Sequence, residues 1–179
     1  WVSLVAFTMN KVKFRYLPSW SFVSDFHEVN LRTYVKNQNQ SGVYFLSIEG
    51  EKTLSNFIAK KVSGLPYEKS LITREASKYS SSNSVNNTSL NTDFIVKDEL
   101  NKKDDLDIWL TERYCLLLHE KGNQYCYQID HAEWQTNQVN ITNLEVNYLI
   151  GQYPLHASPQ RVHYSPGVKV VAWSREKIK

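Results

Sequence analysis

Residues 26–35 alternate between two kinds of side chain, in a pattern that is typical of a β-strand. One set is apolar or β-branched: Val29, Leu31, Thr33 and Val35. The other set carries an acid, an amide, a guanidinium and a phenol: Glu28, Asn30, Arg32 and Tyr34. Because side chains alternate between the two faces of a sheet, the first set predicts a core-facing side. The second set predicts either a solvated surface or the wall of a polar cavity.

The polar set favours the cavity, because its groups form hydrogen bonds in fixed directions. Arg32 offers a planar fork of donors and Tyr34 offers a phenol. Together they suit a small molecule that bears an anionic or carbonyl group. The alternative is a solvated sheet face, on which Glu28 and Arg32 lie too far apart to pair directly.

The remaining patterns favour a fold built mainly from antiparallel hairpins. Aromatic residues make up 13% of the chain, and broad rings pack well on pleated surfaces. Residues 54–62 show a helical period, and residues 143–150 are predicted as a second, short helix. Strands are predicted at residues 1–8, 11–16, 26–36, 43–49, 90–96, 109–118 and 124–129. The predicted fold class is α+β and mostly antiparallel β, with one or two helices.

A single domain spanning residues 1–179 is expected, because a chain of this length can bury an adequate core. The sequence opens at Trp1 in a strand-like run and without an initiator Met. We therefore expect a further segment before Trp1.

Composition and charge argue against several kinds of partner. The net charge of +3 is small and scattered, so nucleic acid is not a predicted partner. Neither a bilayer-spanning apolar run nor a signal-peptide pattern is found, which predicts a cytoplasmic protein without a membrane partner. Cys115 and Cys126 are able to pair, but two buried thiols in a reducing compartment are the preferred interpretation. Homo-oligomer formation is left open.

Three further residues have side chains that could carry chemistry. Arg113 is a candidate ligand-binding residue, although a buried pair with a carboxylate is the commoner role of such a side chain. His131 and Glu133 have a spacing that a metal site can use, but a histidine bonded to backbone at a strand end is preferred. The common hydrolase, kinase, dehydrogenase and zinc motifs are missing from the sequence, so no metal or cofactor is predicted.

Six short segments are distributed along almost the whole chain: residues 28–35, 42–47, 64–67 and 109–114, the pair His131 and Trp134, and residues 163–168. In order and spacing they resemble the YqjF-like family, a bacterial group of unknown function. Members of that family usually carry an extra segment before the position of Trp1, which agrees with the expectation given above.

That family is distantly similar to acetoacetate decarboxylases, which implies a cone-shaped antiparallel β-barrel around a cavity. The decarboxylases use a Schiff-base lysine that directly follows a Gly-aromatic-Pro turn. The matching turn here is Gly64-Leu65-Pro66, and Tyr67 stands where the lysine would be. The resemblance therefore implies the barrel and its cavity and speaks against Schiff-base decarboxylation. It also implies that Glu28 matches a cavity glutamate of the decarboxylases.

The first hypothesis is a barrel that binds a small carboxylate- or carbonyl-containing ligand. Its predicted lining is Glu28, Asn30, Arg32, Tyr34, Tyr67 and Arg113. In this hypothesis Arg32 binds the anion, Tyr34 and Tyr67 donate hydrogen bonds, and Glu28 is the candidate acid or base. Whether a reaction is catalysed is left open.

Two alternatives remain at this point. A barrel filled by its own aromatic side chains would be a structural or protein-interaction module without a ligand. Decarboxylation by Lys69 would require the amine of that residue to lie inside the cavity.

Overall fold

The computed structural model describes residues 1–12, 25–36, 40–53, 56, 64–155 and 158–178. Most of them lie in β-strands, and α1 (Asp105–Thr111) is a short helix among them. In chain order the strands are β1 (Val2–Met9), β2 (Phe26–Lys36), β3 (Ser41–Gly50), β4 (Tyr67–Lys69), β5 (Leu71–Arg74), β6 (Lys78–Asn83), β7 (Thr88–Glu99), β8 (Cys115–Glu120), β9 (Asn123–His131), β10 (Asn137–Asn147), β11 (Leu149–Ile150), β12 (Tyr153–Pro154), β13 (Val170–Ala172) and β14 (Glu176–Lys177).

The strands form a larger and a smaller sheet. The larger sheet has the order β1-β2-β3-β8-β9-β13, with β4 paired to β3 and β14 paired to β9. It curls into a half-barrel. The smaller sheet has the order β10-β7-β6-β5, and β11 pairs with β12 separately. The predicted α+β, mostly antiparallel fold class is confirmed, and β2 is an inner strand of the larger sheet.

The apolar face of β2 packs against the smaller sheet. Val29 and Leu31 are almost fully buried and belong to one cluster with Ile72 of β5, Tyr79 of β6 and Leu90 of β7. Burying an aliphatic side chain of this size stabilises a fold by about 1.5–3 kcal/mol. The two-residue period of this strand therefore predicts its core face correctly.

Two hairpins follow the sequence expectations. β2 pairs with β3 in antiparallel register from Glu28↔Gly50 to Lys36↔Ser41. β8 pairs with β9 around Lys121 and Gly122, which have φ angles of 50° and 78°. Positive φ at both central residues is the geometry of a two-residue hairpin turn, and glycine adopts it without steric cost.

Two element predictions are wrong. Residues 143–150, predicted as a helix, belong to β10 and β11, because Asn143–Asn147 pairs with Asp93–Ser89 of β7. Residues 109–111, predicted as the start of a strand, form the last turn of α1. That helix starts at a capping box in which Asp104 and Asp107 each accept a hydrogen bond from the other's backbone N–H.

The predicted helix at 54–62 lies outside the described residues, except for Asn56. The predicted strand at 11–16 also lies outside them, except for Lys11 and Val12. These two residues are not in a strand. Within the described ranges, no helix is long and apolar enough to cross a bilayer.

The cysteine prediction is partly wrong. Cys115 of β8 and Cys126 of β9 are both buried, as expected, but they form a disulfide rather than two free thiols. Their Cα atoms are 5.9 Å apart on neighbouring strands, a separation that suits a disulfide.

Gly42 allows β3 and β8 to approach each other closely. A Cβ at this position would lie 2.5 Å from the backbone oxygen of Cys115, which cannot move without displacing the strand. We expect Gly42→Ala to destabilise the protein by roughly 3 kcal/mol, at the upper end of the cost of overpacking. Chemical denaturation measures this, with Gly122→Ala as the comparison.

At Gly122 no atom of the described ranges lies within 4 Å of the added Cβ, so that variant is expected to lose only about 1–2 kcal/mol through its left-handed backbone. A Gly42→Ala midpoint equal to that of the native protein would contradict the close approach.

Candidate functional site

The polar face of β2 is buried over half of its length. Glu28 and Asn30 are each 2% exposed, and Arg32 and Tyr34 are half-buried. The alternative of a solvated face is therefore wrong for Glu28 and Asn30. A buried acid and a buried amide require hydrogen-bond partners, because burial without them costs several kilocalories per mole.

Three strands bring Tyr67 to this face. Asn30 is the register partner of Ile48 on β3, and Ile48 is the register partner of Tyr67 on β4. Directly opposed residues lie on the same face of a sheet. The three side chains therefore lie in a row across the sheet, with the fully buried Ile48 in the middle.

Glu28 has a hydrogen-bond donor on each carboxylate oxygen. The Asn30 amide donates to Oε1 at 3.2 Å, and the Tyr67 hydroxyl donates to Oε2 at 3.1 Å. These contacts join three of the residues that the sequence proposes as site residues.

Burial controls the protonation of this group. It raises the pKa of Glu28 to about 7, and the hydrogen bonds from Asn30 and Tyr67 and the charge of Arg32 offset only part of that effect. Burial, together with the nearby Glu28, also raises the pKa of Tyr67 well above its usual value, so this phenol remains a donor. A carboxyl with a pKa near neutrality can both give and take a proton at physiological pH.

The other end of the face contacts the last turn of α1. The Arg32 guanidinium donates through Nη2 to the backbone oxygen of Leu110 at 3.3 Å. The Tyr34 hydroxyl donates to the same oxygen at 3.1 Å and lies 2.8 Å from Ser3 Oγ. Carbonyls at the end of a helix lack helical partners, so cationic and donor groups are favourable there.

Two buried polar atoms of this face have no hydrogen-bond partner among the described residues. They are Oδ1 of Asn30, an acceptor, and Nε of Arg32, a donor. Leaving such an atom unpaired costs about 1–3 kcal/mol. Because the two residues are neighbours on one face of β2, their free acceptor and free donor can be used by one polar molecule.

Arg113 packs on the ring of Trp109 rather than beside Arg32. Its guanidinium stacks on Trp109 at 3.9 Å from the ring centroid and donates to the Trp109 backbone oxygen at 2.6 Å. The Trp109 ring is in turn 6.4 Å from the ring of Tyr34. The structure thus links Arg113 to the face through Trp109, which the sequence prediction had assigned to a strand. Tyr34 of the face also lies close enough to Arg113 to influence the pKa of its guanidinium.

Burial lowers the pKa of the Arg113 guanidinium and the nearby charge of Glu112 partly offsets this, so the predicted buried pair of Arg113 with a carboxylate stays a prediction. The Arg113 guanidinium also donates through Nη1 to the hydroxyl of Ser41 at 3.2 Å. The neighbouring carboxylate of Glu112 instead pairs with Lys103 at 2.7 Å. Both of those side chains are more than nine-tenths buried.

The contacts of His131 and the exposure of Lys69 decide between the roles that were predicted for these two residues. His131 ends β9, and its two ring nitrogens lie 2.8 Å and 3.3 Å from the backbone oxygens of Ala132 and Arg113. The preferred interpretation of this residue is therefore confirmed. Lys69 is exposed and its amine donates to the Glu51 backbone oxygen, so the hypothesis of an interior Lys69 is wrong.

A second buried acid, Glu49, has hydrogen-bond donors on both of its carboxylate oxygens. Glu49, 1% exposed, accepts hydrogen bonds from the hydroxyls of Ser70 at 2.9 Å, Ser81 at 3.2 Å and Thr88 at 2.6 Å. It is the register partner of Val29, so it lies on the opposite face of the sheet from Glu28. No local sequence pattern reveals this group, because its donors come from three separate segments.

Within the described residues, no group of three or more His, Cys, Asp and Glu side chains is arranged to hold a metal ion. A groove of about 320 Å³ opens beside the start of α1, and none of the six predicted site residues lines it. No local sequence pattern predicts this groove, because residues of four separate segments form it.

Sequence matches to known proteins extend over nearly the whole chain. The DUF2071 family, described as an uncharacterized conserved protein, matches residues 1–169. The uncharacterized protein YqjF of Bacillus subtilis strain 168 is 29% identical over 191 residues, covering 99% of this chain and 76% of that protein.

Among solved structures, an acetoacetate decarboxylase matches with a TM-score of 0.57 at 10% identity, over 99% of this chain and 75% of that chain. The enduracididine biosynthesis enzyme MppR, complexed with pyruvate, matches with a TM-score of 0.49 at 9% identity, over 83% of this chain and 62% of that chain. The chain therefore spans less than two thirds of MppR. The acetoacetate decarboxylase match shows a shared fold.

The raised pKa of Glu28 predicts a pH-dependent loss of stability. The folded protein keeps its proton up to a pH of about 7, whereas the unfolded chain releases it near the ordinary glutamate value of about 4.3. Stability should therefore fall as the pH rises from about 4.5 to about 7, by up to roughly 3 kcal/mol.

Glu28→Gln should remove this part of the pH dependence, as measured by denaturation at several pH values. Glu75→Gln, a change at an exposed acid, controls for the loss of one negative charge. Parallel profiles for the native protein and Glu28→Gln would contradict the raised pKa.

Proposed function

Because this chain belongs to the DUF2071 family and has an acetoacetate decarboxylase-like fold, we propose that it binds a small carboxylate- or carbonyl-containing molecule against the polar face of β2. The groups that contact the ligand are those of Glu28, Asn30, Arg32, Tyr34 and Tyr67. Arg113 supports this wall from behind Trp109.

The observation that carries the proposal is the pair of unused atoms on the buried face. Arg32 Nε is a charged donor and suits a carboxylate or carbonyl oxygen. Asn30 Oδ1 is an acceptor, so it suits a hydroxyl, an amine or a protonated carboxyl on the same molecule. Glu28 lies next to both and has a pKa of about 7, which makes it the candidate proton donor or acceptor.

The chemistry proposed here excludes a Schiff base at the turn where the decarboxylases carry their lysine. Tyr67 occupies that position and its phenol is bonded to Glu28, while Lys69 is exposed. A phenol cannot form an imine with a carbonyl substrate. The proposal is therefore one of binding, with proton transfer by Glu28 as the reaction type that the site suits.

A structural or protein-interaction module is the second candidate function, and one observation favours it. Arg32 and Tyr34 already share the backbone oxygen of Leu110. In this second function the two hydrogen bonds hold α1 against the sheet. The face then has a structural role and needs no ligand.

The two candidates differ in what Arg32→Leu does. In the binding proposal this variant folds but is no longer stabilised thermally by acetate, pyruvate or acetoacetate, because the charged donor fork is lost. Arg74→Leu, at an exposed arginine of β5, should respond to these compounds as the native protein does. Thermal denaturation with and without each compound measures the difference.

Arg32→Lys is the second variant, since it keeps the charge and removes the fork. Weaker stabilisation of Arg32→Lys by the same compounds supports binding. An unfolded Arg32→Leu together with no stabilisation of the native protein by any of the three compounds would favour the structural module.

A further inference from the structure

A second concave site lies beside the start of α1, in the groove of about 320 Å³. It is lined by residues from four segments: the β7–α1 connection, α1 itself, β10 and the segment around His163. Small-molecule pockets occupy about 300–1,000 Å³, so this groove suits a ligand of few non-hydrogen atoms.

Backbone hydrogen bonds fix the walls of the groove. The Leu100 N–H donates to the Thr136 backbone oxygen at 2.8 Å, which attaches the β7–α1 connection to the start of β10. Asn137 and Tyr164 exchange two backbone hydrogen bonds, at 2.7 Å and 3.2 Å, which attach the segment around His163 to β10. A concave surface held in this way loses little conformational freedom when a ligand binds.

The two acids of the groove are already engaged. Asp107, 6% exposed, accepts from His163 Nε2 at 2.8 Å and from the Asp104 N–H at 3.0 Å. Asp104 pairs with Arg161 at 2.7 Å and caps α1 by accepting from the Asp107 N–H at 2.8 Å. A cation would have to displace these partners.

The groups that remain available are donors and one imidazole nitrogen. Lys102 is exposed, lines the groove and has no carboxylate within ion-pair distance in the described part of the chain. Gln138 adds an exposed amide. Because Nε2 of His163 donates to Asp107, its Nδ1 is the nitrogen left for a ligand, as an acceptor in the neutral ring.

We propose that this groove binds a small oxyanion that also carries a hydroxyl group, such as hydrogen phosphate or a short hydroxy acid. The Lys102 amine and the Gln138 amide contact the oxyanion. The His163 Nδ1 accepts from the hydroxyl, and Asp107 fixes the orientation of the ring. This site is separate from the β2 face and does not depend on the function proposed for that face.

The experiment is an NMR titration of the isotope-labelled native chain with inorganic phosphate, lactate and sulfate at constant ionic strength. Phosphate and lactate should cause saturable shifts of the backbone amides of Gln138 and Val162. Sulfate carries no hydroxyl at neutral pH, so it should bind more weakly than phosphate. Tighter binding of phosphate than of lactate assigns a phosphate-bearing ligand, and the reverse assigns a hydroxy acid.

Two variants test the roles of the side chains. Lys102→Ala should weaken phosphate binding by about tenfold or more, since it removes a charge-assisted hydrogen bond. Lys169→Ala, a change at an exposed lysine that does not line the groove, should leave it unchanged. His163→Lys retains a donor for Asp107 and carries no acceptor, so it should lose the preference for phosphate over sulfate.

Three results would overturn the proposal. They are shifts that do not saturate, equal affinity of Lys102→Ala and the native protein for phosphate, and equal affinity of the native protein for phosphate and sulfate. Shifts confined to β2 would assign the anion to the face of Arg32 instead.

Discussion

The burial of β2 on both of its faces is the constraint on which the rest of this structure depends. Val29 and Leu31 pack against the smaller sheet, while Glu28 and Asn30 are equally buried on the opposite side. A strand with apolar residues on both faces would need no further partners. Here one face is polar, so the positions of Tyr67 on β4 and of Leu110 on α1 are coupled to it by hydrogen bonds.

The two buried acids of the larger sheet, Glu28 and Glu49, differ in how hydrogen bonds offset the cost of burying a carboxylate. Glu49 is surrounded by hydroxyl donors from three segments, an arrangement that is complete without a ligand. Glu28 has two donors and a pKa raised by burial to about 7, and its neighbours retain an unused acceptor and an unused donor. The difference supports the proposal that the Glu28 face binds a further polar molecule, whereas Glu49 stabilises the core.

Much of the fold could be predicted from the sequence, because strand periodicity and turn chemistry are local properties. The alternation in β2 and the glycine at the β8–β9 turn each specify geometry within a few residues. Residues 143–150 could not be assigned correctly in this way, since their pairing with β7 is a long-range interaction. The helix α1 had a local signal, the acids Asp104 and Asp107 three residues apart, but the apolar residues that follow suggested a strand.

The grouping of five of the candidate residues on one face was predictable from the sequence, whereas their contacts were not. The period of β2 grouped Glu28, Asn30, Arg32 and Tyr34, and the family resemblance added Tyr67. The acceptor that Arg32 and Tyr34 share is a backbone oxygen, which no side-chain pattern reveals. The disulfide between Cys115 and Cys126 likewise follows from the register of two strands rather than from cysteine count.

The most direct test of the central claim follows the carboxyl carbon of Glu28 by NMR across the pH range, first alone and then with pyruvate. The structure predicts a midpoint at a pH of about 7. Pyruvate should move that midpoint upwards, because a bound anion beside Arg32 adds negative charge and cancels the positive charge that favours the carboxylate. A midpoint near the ordinary glutamate value of about 4.3, unchanged by pyruvate, would contradict both the burial of this acid and the binding face built around it.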